Sequence, residues 1–300
     1  MDDMLSITGL RKSFGSKEVL KGLDLSVPEH SIFGFIGKNG SGKTTTMKTI
    51  LGILRADEGE ITVNGERVAY GQTATNRHIG YLPDVPEFYS FMTAEEYLRF
   101  CGEITGMDRR ENAKRSEELL QMVGLSEEKH RIKGFSRGMK QRLGIAQALL
   151  GSPKLLICDE PTSALDPVGR KEILDILLMA KGQTTVLFST HILSDVERIC
   201  TNVAFLHDGK AELQGTLSDI KTKFRRDEYE IETENDTDAQ MLRDAFSDMQ
   251  AVGRNQLIFR EGKSTLFDVL RFITEKHIHL VKLERMEPTL ESLFMEVINK

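Results

Sequence analysis

The sequence predicts an α/β fold built around a mostly parallel sheet. Residues 31–36 form a short apolar segment typical of a buried strand, and a glycine-rich stretch and a segment with helical periodicity follow it. Comparable apolar segments recur at residues 155–160, 185–190 and 203–206, separated by segments of helical character. Because strands that alternate with helices usually run side by side in one direction, this order predicts a parallel sheet.

Residues from about 90 to 150 interrupt this alternation with a run that is mostly helical in character. Thr93 is followed three residues later by Glu96, a pairing typical of a helix start in which each side chain caps the backbone of the other. A second helix is predicted over residues 109–123, and a third contains residues 143–150. The sequence therefore predicts a helical subdomain inserted in the α/β frame.

The character of the chain changes after about residue 215, and we divide it into two domains. Residues 1–225 would form the α/β domain and residues 226–300 a small accessory α+β domain. Residues 229–236 alternate polar and apolar side chains as an edge strand would. Further helices are predicted at residues 238–249, 265–276 and 289–298.

Composition narrows the classes of function. The 300 residues are 39% hydrophobic with a formal net charge of −6, so we expect a packed core and no nucleic-acid partner, since duplex binding usually needs a basic face. The 3 cysteines show no disulfide or metal spacing, which is typical of a reducing cytoplasm. We find no signal peptide and no apolar run near the roughly 18 residues of a spanning helix. Work at a membrane would therefore require another protein.

A phosphate-binding loop is predicted directly after the first apolar strand. Residues 37–44 match the pattern G-x-x-x-x-G-K-[ST]. Glycines let such a loop wrap closely around a polyphosphate with its N–H groups pointing inward, and the following helix adds the positive end of its dipole. Lys43 would neutralise the β- and γ-phosphates, and the Thr44 hydroxyl would bind Mg²⁺. The ATP-binding residues predicted here are Gly37, Lys38, Asn39, Gly40, Ser41, Gly42, Lys43, Thr44 and Thr45.

Two adjacent carboxylates, Asp159 and Glu160, end the apolar segment at residues 155–160. A carboxylate at the end of a buried strand can hold Mg²⁺, and its neighbour can orient and deprotonate an attacking water molecule. Alone, the pair could equally mark a strand that reaches solvent. Together with the phosphate loop, it indicates a P-loop nucleoside triphosphatase with Asp159 as metal ligand and Glu160 as catalytic base.

Three further segments resemble the ATP-binding subunits of ABC transporters. Residues 135–142 (FSRGMKQR) resemble the ABC signature, residues 163–166 (SALD) resemble the D-loop, and His191 resembles the switch histidine. The motifs follow the family's order, and the resemblance covers roughly residues 4–220. It implies an ABC ATPase core that takes ATP and Mg²⁺, with Lys43, Glu160 and His191 in catalysis. His191 would act as a sensor of the γ-phosphate.

The resemblance also implies a homodimer in which each ATP is sandwiched between two chains. Ser136 is expected to cap the helix that follows it, and in this family that helix end meets the γ-phosphate bound by the other subunit. The Ser136 hydroxyl and the Gly138 N–H would donate to the phosphate, while Asp166, which precedes a proline typical of a helix start, would lie at the dimer interface. Ser136 can also be an ordinary helix cap, and the two roles are compatible.

Phe14, Val19 and Asp84 are assigned to the nucleotide site by the same resemblance. Phe14 matches the residue that stacks on adenine, where tyrosine is more usual, although it could also be a core residue; Val19 would add an apolar contact. Asp84 replaces the Q-loop glutamine as a nucleotide and metal ligand. Because aspartate is shorter, its contact with Mg²⁺ would pass through water or require more loop movement. Arg137 is a second departure, at a position where the family often has glycine.

We expect this chain to drive a separately encoded membrane permease at the cytoplasmic face of the membrane. The tail at residues 288–294 resembles that of drug and bacteriocin exporters, which favours export. The permease would dock beside Asp84, where Phe88, Tyr89 and Phe91 are candidate contacts or core residues. Three alternatives fit less well. Translation and regulatory ATPases usually carry two nucleotide domains, DNA-repair ATPases insert a long coiled coil, and a catalytically dead subunit would lack the residues above.

Overall fold

The computed structural model describes residues 3–72, 74–225 and 227–298. Contacts between residues divide the chain into two compact units. The first runs to Ser218 and resumes at Phe294, and the second comprises Asp219–Leu293. The domain boundary between residues 225 and 226 stays a prediction.

The first unit contains a six-stranded and a four-stranded sheet. Its strands are β1 (Asp3–Phe14), β2 (Lys17–Pro28), β3 (Ile32–Ile36), β4 (Glu58–Val63), β5 (Glu66–Arg67), β6 (Ile79–Leu82), β7 (Leu155–Asp159), β8 (Thr185–Thr190), β9 (Asn202–His207) and β10 (Lys210–Thr216).

The six-stranded sheet confirms the predicted α/β fold. Its strand order is β10-β9-β3-β8-β7-β6. Neighbouring strands from β9 to β6 run parallel, whereas β10 is antiparallel to β9. Every residue of β3, β7 and β8 is buried, as expected for the central strands of a parallel sheet covered on both faces. The ends of these three strands carry the candidate site.

The four-stranded sheet has the order β2-β1-β4-β5, and the sequence analysis missed its two long strands. The pairing of β1 with β2 shifts register at several points, and such bulges interrupt the polar–apolar alternation by which a strand is recognised. The two sheets share a hydrophobic core, which includes Leu5, Leu25, Phe35, Met47 and Leu187.

Three helices between β6 and β7 confirm the predicted helical insertion. Thr93 and Glu96 form the predicted capping box, with Thr93 N donating to Glu96 Oε2 at 2.8 Å and Glu96 N donating to Thr93 Oγ1 at 3.3 Å. Ser136 and Asp166 also cap helices as predicted. The helices of the first unit are α1 (Lys43–Ile50), α2 (Ala94–Ile104), α3 (Arg109–Met122), α4 (Arg137–Leu149), α5 (Pro167–Ala180) and α6 (Leu193–Ile199). Within the described residues, no helix combines the length and the apolar character needed to cross a membrane.

Helix α4 approaches β6 so closely that only glycine fits at two contact points. A Cβ atom at Gly80 would lie 2.1 Å from the backbone oxygen of Ala148, and one at Gly144 would lie 2.5 Å from Leu82 Cδ1. Both distances are far below ordinary van der Waals separation. This contact fixes α4 against the strand from which the chain continues to Asp84.

The second unit is an α+β fold with an antiparallel sheet in the order β12-β13-β11-β14. Two helices, α7 and α10, lead into and out of it. The elements are α7 (Leu217–Lys223), β11 (Glu228–Thr233), α8 (Asp236–Ala245), β12 (Met249–Ala251), β13 (Gln256–Arg260), α9 (Leu266–Lys276), β14 (Leu280–Arg285) and α10 (Leu290–Ile298).

The segment predicted as an edge strand is instead an inner strand of this sheet. Strand β11 lies between β13 and β14. Its alternation arises because one face of the sheet packs on a core that contains Ile231 and Phe259, while the other face carries the ion pair of Glu230 and Lys282. Coverage on one face produces the same two-residue period as an edge position.

The helix predicted over residues 238–249 ends earlier than expected. Helix α8 stops at Ala245, and Met249 begins β12 by pairing with Phe259 of β13. Met249 also packs against the core of the unit. Strand pairing and packing therefore override helical periodicity in this segment.

The end of the described chain belongs to the first unit again. Phe294 in α10 packs against Phe205 of β9, with the ring centroids 5.6 Å apart. The chain therefore leaves the first unit near Ser218 and returns to it at Phe294.

We predict that Gly80→Ala destabilises the first unit, because the added methyl group must displace the backbone of α4. Overpacking of this kind lowers the free energy of unfolding by about 1–3 kcal/mol. Gly151→Ala is the matched control, since a Cβ at Gly151 would have no atom within 4 Å. Urea titration of both variants measures the difference, and equal stabilities would contradict the close α4–β6 contact.

Candidate nucleotide-binding site

The loop between β3 and α1 has a shape that requires glycine. Gly40 and Gly42 adopt φ angles of +81° and +113°, a region that other residues rarely occupy. A Cβ at Gly42 would lie 2.7 Å from Leu20 Cδ2, and one at Gly37 would lie 2.8 Å from the backbone oxygen of Leu206. The loop therefore lies directly against the ends of neighbouring strands, as a tight phosphate cradle requires.

Lys43, the first residue of α1, has its side chain buried beneath this loop. Its Nζ donates to the backbone oxygen of Gly37 at 2.6 Å and lies 3.1 Å from Glu160 Oε1. Ser41 Oγ is buried as well and has no hydrogen-bond partner among the described residues. A buried ammonium group and an unsatisfied hydroxyl in one glycine-rich loop fit a phosphate ligand, which would supply acceptors to both.

The carboxylate of Asp159 connects the end of β7 to α1 and β8. Its Oδ2 accepts a hydrogen bond from Thr44 Oγ1 at 2.7 Å, and its Oδ1 accepts one from Ser189 Oγ at 2.6 Å. Ser189 lies directly opposite Asp159 in the β7–β8 register, and its Oγ also accepts from Glu160 N at 2.9 Å. Sequence reasoning missed Ser189, although its position one strand away and just before the predicted His191 was the available signal.

Glu160 is held between two basic side chains in a strained backbone conformation. Its φ angle of +49° lies in the left-handed region, which is uncommon for non-glycine residues and frequent at functional sites. Its Oε2 lies 2.9 Å from His191 Nδ1, and its Oε1 faces Lys43 Nζ. The turn after β7 therefore places this carboxylate at the centre of the site.

Behind the site, a buried network joins the turn after Glu160 to the segment after His191. Thr162 Oγ1 donates to Asp195 Oδ2 at 2.7 Å, and Arg170 Nη2 donates to Asp195 Oδ1 at 2.6 Å. Thr162 and Asp195 are both buried. Sequence reasoning missed all three residues, because nothing in the sequence shows which helices and turns meet there.

One cavity of about 420 Å³ brings most of the predicted site residues together. Its volume is in the range of small-molecule sites. Ser163 also lines this cavity and was not predicted as a site residue. The predicted residues that line it are Val19, Asn39, Gly40, Gly42, Lys43, Thr44, Thr45, Asp84, Asp159, Glu160 and His191.

Asp84 lies where this cavity meets a groove beside α4. Its carboxylate is about half exposed, and Oδ1 lies 3.5 Å from Arg137 Nη2. Burial raises the pKa of Asp84, the nearby Arg137 guanidinium lowers it, and the charges of Asp159 and Glu160 raise it, so the pKa lies above its usual value. The carboxylates of Asp159 and Glu160 thus disfavour the charged form of Asp84.

Seven predicted residues do not line this cavity in the single chain. Gly37, Lys38 and Ser41 lie within the glycine-rich loop, and the other four lie elsewhere. The Phe14 ring is half exposed, with Lys12 Nζ 5.5 Å from its centroid. Ser136 Oγ accepts from Met139 N, and Asp166 Oδ1 accepts from Gly169 N, each at 3.2 Å. Their contacts with nucleotide, and that of Gly138 in the first turn of α4, stay predictions.

Thr44 and Asp159 offer oxygen ligands suited to Mg²⁺. Within the described part of the chain, no group of three or more His, Cys, Asp or Glu side chains could hold a metal ion. Mg²⁺ commonly takes one or two protein oxygens and completes its shell with water and substrate phosphates. The residues present therefore fit a metal that arrives with a nucleotide.

The parallel sheet, the glycine-rich loop with its buried lysine and the two carboxylates after β7 define a P-loop nucleoside triphosphatase. Two family models match the sequence. The ABC transporter model matches residues 20–163, and the C-terminal domain model of DrrA1-3-like ATP-binding proteins matches residues 215–298.

Curated relatives match over nearly the whole chain. The ABC transporter ATP-binding protein YxlF of Bacillus subtilis, described as uncharacterised, is 37% identical over 99% of this chain and 100% of its own length. The bacitracin transport ATP-binding protein BcrA of Bacillus licheniformis is 34% identical over 99% of this chain and 98% of its own length. The chain therefore belongs to the ATP-binding proteins of ABC transporters and is an ATP-binding subunit of that kind.

Solved structures agree with this assignment. An ATP-binding subunit of an ABC transporter is 34% identical, covers 74% of this chain and 93% of its own, and superposes with a TM-score of 0.65. A dimeric ATP-binding cassette in a post-hydrolysis state, bound to ADP and phosphate, is 26% identical, covers 71% of this chain and 99% of its own, and has a TM-score of 0.63.

We predict that Asp195→Ala lowers the free energy of unfolding by about 1–3 kcal/mol, because Thr162 and Arg170 lose a shared acceptor in a mostly buried place. Asp175→Ala is the matched control, since its ion pair with Arg198 (2.8 Å) lies on the surface. An exposed pair contributes only about 0–1 kcal/mol. Urea titration compares the variants, and a smaller loss for Asp195→Ala than for Asp175→Ala would contradict the role of the buried network.

Proposed function

We propose that this chain hydrolyses ATP in the cavity between Lys43 and Glu160 and uses that reaction to drive a separate membrane permease. The observation that carries the proposal is the position of Glu160. Its carboxylate lies between Lys43 Nζ (3.1 Å) and His191 Nδ1 (2.9 Å), next to the Asp159–Thr44 pair. The proposed base, the proposed phosphate-binding cation and the proposed metal ligands thus line one cavity.

Binding of ATP would rearrange the partners of Lys43. A phosphate in the loop would accept the hydrogen bonds of the backbone N–H groups and would compete with Glu160 for the ammonium group. Thr44 and Asp159 would hold Mg²⁺, and Asp84 would contact it through water or after loop movement. The bound metal would supply charge that neutralises the phosphates. Glu160 would then be available to accept a proton from the attacking water.

His191 would orient the reacting groups rather than exchange protons itself. Its contact with Glu160 holds that carboxylate at the cavity, and its other ring nitrogen would contact a γ-phosphate. Phe14 would provide the stacking surface for adenine and Val19 an apolar contact. Val19 lines the cavity, which supports its assignment.

A homodimer would complete the site. Ser136, Gly138 and Asp166 lie outside the cavity of the single chain, which fits residues that serve a nucleotide bound by a partner subunit. The helix N-terminus capped by Ser136 offers N–H groups and a positive dipole end to such a phosphate. The dimeric relative bound to ADP and phosphate supports this arrangement.

We further propose that the permease carries an export activity and holds this chain at the cytoplasmic face of the membrane. The bacitracin transport protein among the relatives supports export, as does the exporter-like tail at residues 288–294. The groove beside α4, lined by Asp84 and Phe88, is the proposed permease contact. Tyr89 and Phe91 follow Phe88 closely in the chain and are 52% and 62% exposed, which supports them as further proposed contacts.

We predict that Glu160→Gln retains ATP but loses turnover by about 10²–10⁴-fold, because the amide cannot act as a base. Size-exclusion mass with and without Mg·ATP should shift from monomer to a dimer that carries two nucleotides. Glu103→Gln, an exposed change on α2, is the control and should keep wild-type turnover. A variant that hydrolyses ATP normally would overturn the assignment of Glu160, and a monomer that holds ATP would overturn self-assembly of the dimer.

We predict that the double variant Tyr89→Ala/Phe91→Ala lowers the share of the protein that sediments with native membranes, while basal ATP turnover stays unchanged. Ile104→Ala is the matched control, because this side chain is 68% exposed but lies at the far end of α2, away from the groove. Membrane sedimentation and turnover are measured on the same preparations. If the wild type, the double variant and the control sediment with membranes to the same extent, Tyr89 and Phe91 do not belong to the docking surface.

A further inference from the structure

Asp84 lines two cavities at once. It shares the nucleotide cavity with Thr44 and the neighbouring groove with Arg137. The backbone of Asp84 is held in place, because the buried Gln141 side chain donates to its carbonyl oxygen at 2.7 Å. The carboxylate is about half exposed and borders both cavities.

Charged side chains on both sides act on this carboxylate. On the groove side, the Arg137 guanidinium lies 3.5 Å from Asp84 Oδ1. On the nucleotide side stand Asp159 and Glu160, whose negative charges disfavour an ionised neighbour. A divalent cation beside Asp159 would reverse this preference, because it would attract the Asp84 carboxylate more strongly than a solvated guanidinium does.

Arg137 connects the Asp84 carboxylate to the start of helix α4. It is the first residue of α4 and directly follows Ser136, whose side chain caps that helix. An exposed ion pair such as Asp84–Arg137 contributes little to stability, so it exchanges readily with a stronger partner. The Asp84 carboxylate is therefore shared between the metal site and the first turn of the signature helix.

We propose that Arg137 is a positioning residue that competes with the metal of the nucleotide site for the Asp84 carboxylate. The inference rests on the proposed function, since it requires Mg·ATP in the cavity. Asp84 pairs with Arg137 in the empty chain and turns toward the nucleotide cavity in the loaded one. The Arg137 guanidinium then loses this partner, so metal binding at Asp84 and the Asp84–Arg137 pair exclude each other.

The experiment measures how much the metal contributes to nucleotide affinity. The full chain is titrated with a fluorescent methylanthraniloyl derivative of a non-hydrolysable ATP analogue, once in excess EDTA and once in excess Mg²⁺. The ratio of the two Kd values reports the metal contribution. Arg137→Ala removes the competing cation and is expected to increase this ratio about two- to fivefold, the range that an exposed ion pair allows.

Three controls separate this role from a general effect of charge. Arg137→Lys keeps the cation and should remain close to wild type. Lys140→Ala removes a different cation from the same helix and groove and should also remain close to wild type. In an Asp84→Asn background, Arg137→Ala should leave the ratio unchanged, because the shared carboxylate is already gone.

The outcomes distinguish this inference from the proposed function. An unchanged ratio in Arg137→Ala would overturn the inference, and so would an equal increase in the Asp84→Asn background. A wild-type chain that does not bind the analogue under either condition would instead overturn the proposed function. If Mg²⁺ lowers the Kd of the analogue and Arg137→Ala leaves the ratio of Kd values unchanged, only the proposed competition is wrong.

Discussion

The hydroxyl of Ser189 is the contact on which the candidate site depends. It donates to Asp159 and accepts from the backbone of Glu160, so one small side chain fixes both carboxylates relative to β8. This bridge exists because β7 and β8 pair in the register that sets Asp159 opposite Ser189. If β8 shifted by one residue relative to β7, the side chains of Asp159 and Ser189 would point to opposite faces of the sheet. The chemistry therefore depends on strand register, and the fully buried strands β7 and β8 hold that register firmly.

A second constraint acts between the sheet and the helical insertion. Gly80 lets β6 approach the backbone of α4, and Gly144 makes room on α4 for the Leu82 side chain. Gln141, on the same helix, holds the carbonyl of Asp84. The loop after β6 is thus attached to the helix that begins at Arg137. The Asp84 backbone and helix α4 are therefore held together at this point. Close packing of α4 on β6 and the buried Gln141 side chain thus attach the loop that lines the nucleotide cavity to the helix that lines the groove.

Local signals in the sequence predicted much of this structure. Residue type and periodicity among neighbouring residues are enough to predict the glycine-rich loop and the two acids at the end of β7. The same local signals predict the helix caps at Thr93, Ser136 and Asp166. Ser189, Thr162 and Asp195 were missed because their partners lie about 30 positions away and meet only through the fold. Strand β11 was misplaced for a related reason, since alternation reports that one face is covered and does not report which strands lie beside it.

The packing of Phe294 on Phe205 changes how the second unit is connected. The chain leaves the first unit near Ser218 and rejoins it at Phe294, so the intervening residues form a closed loop rather than a free appendage. Closing a loop restricts the unfolded chain, and the entropic cost grows only slowly with loop length. The entropic cost of inserting the residues of the second unit between two points of the first is therefore small. Proteolytic cleavage within that loop would leave a C-terminal fragment attached to the first unit through the contact of Phe294 with Phe205.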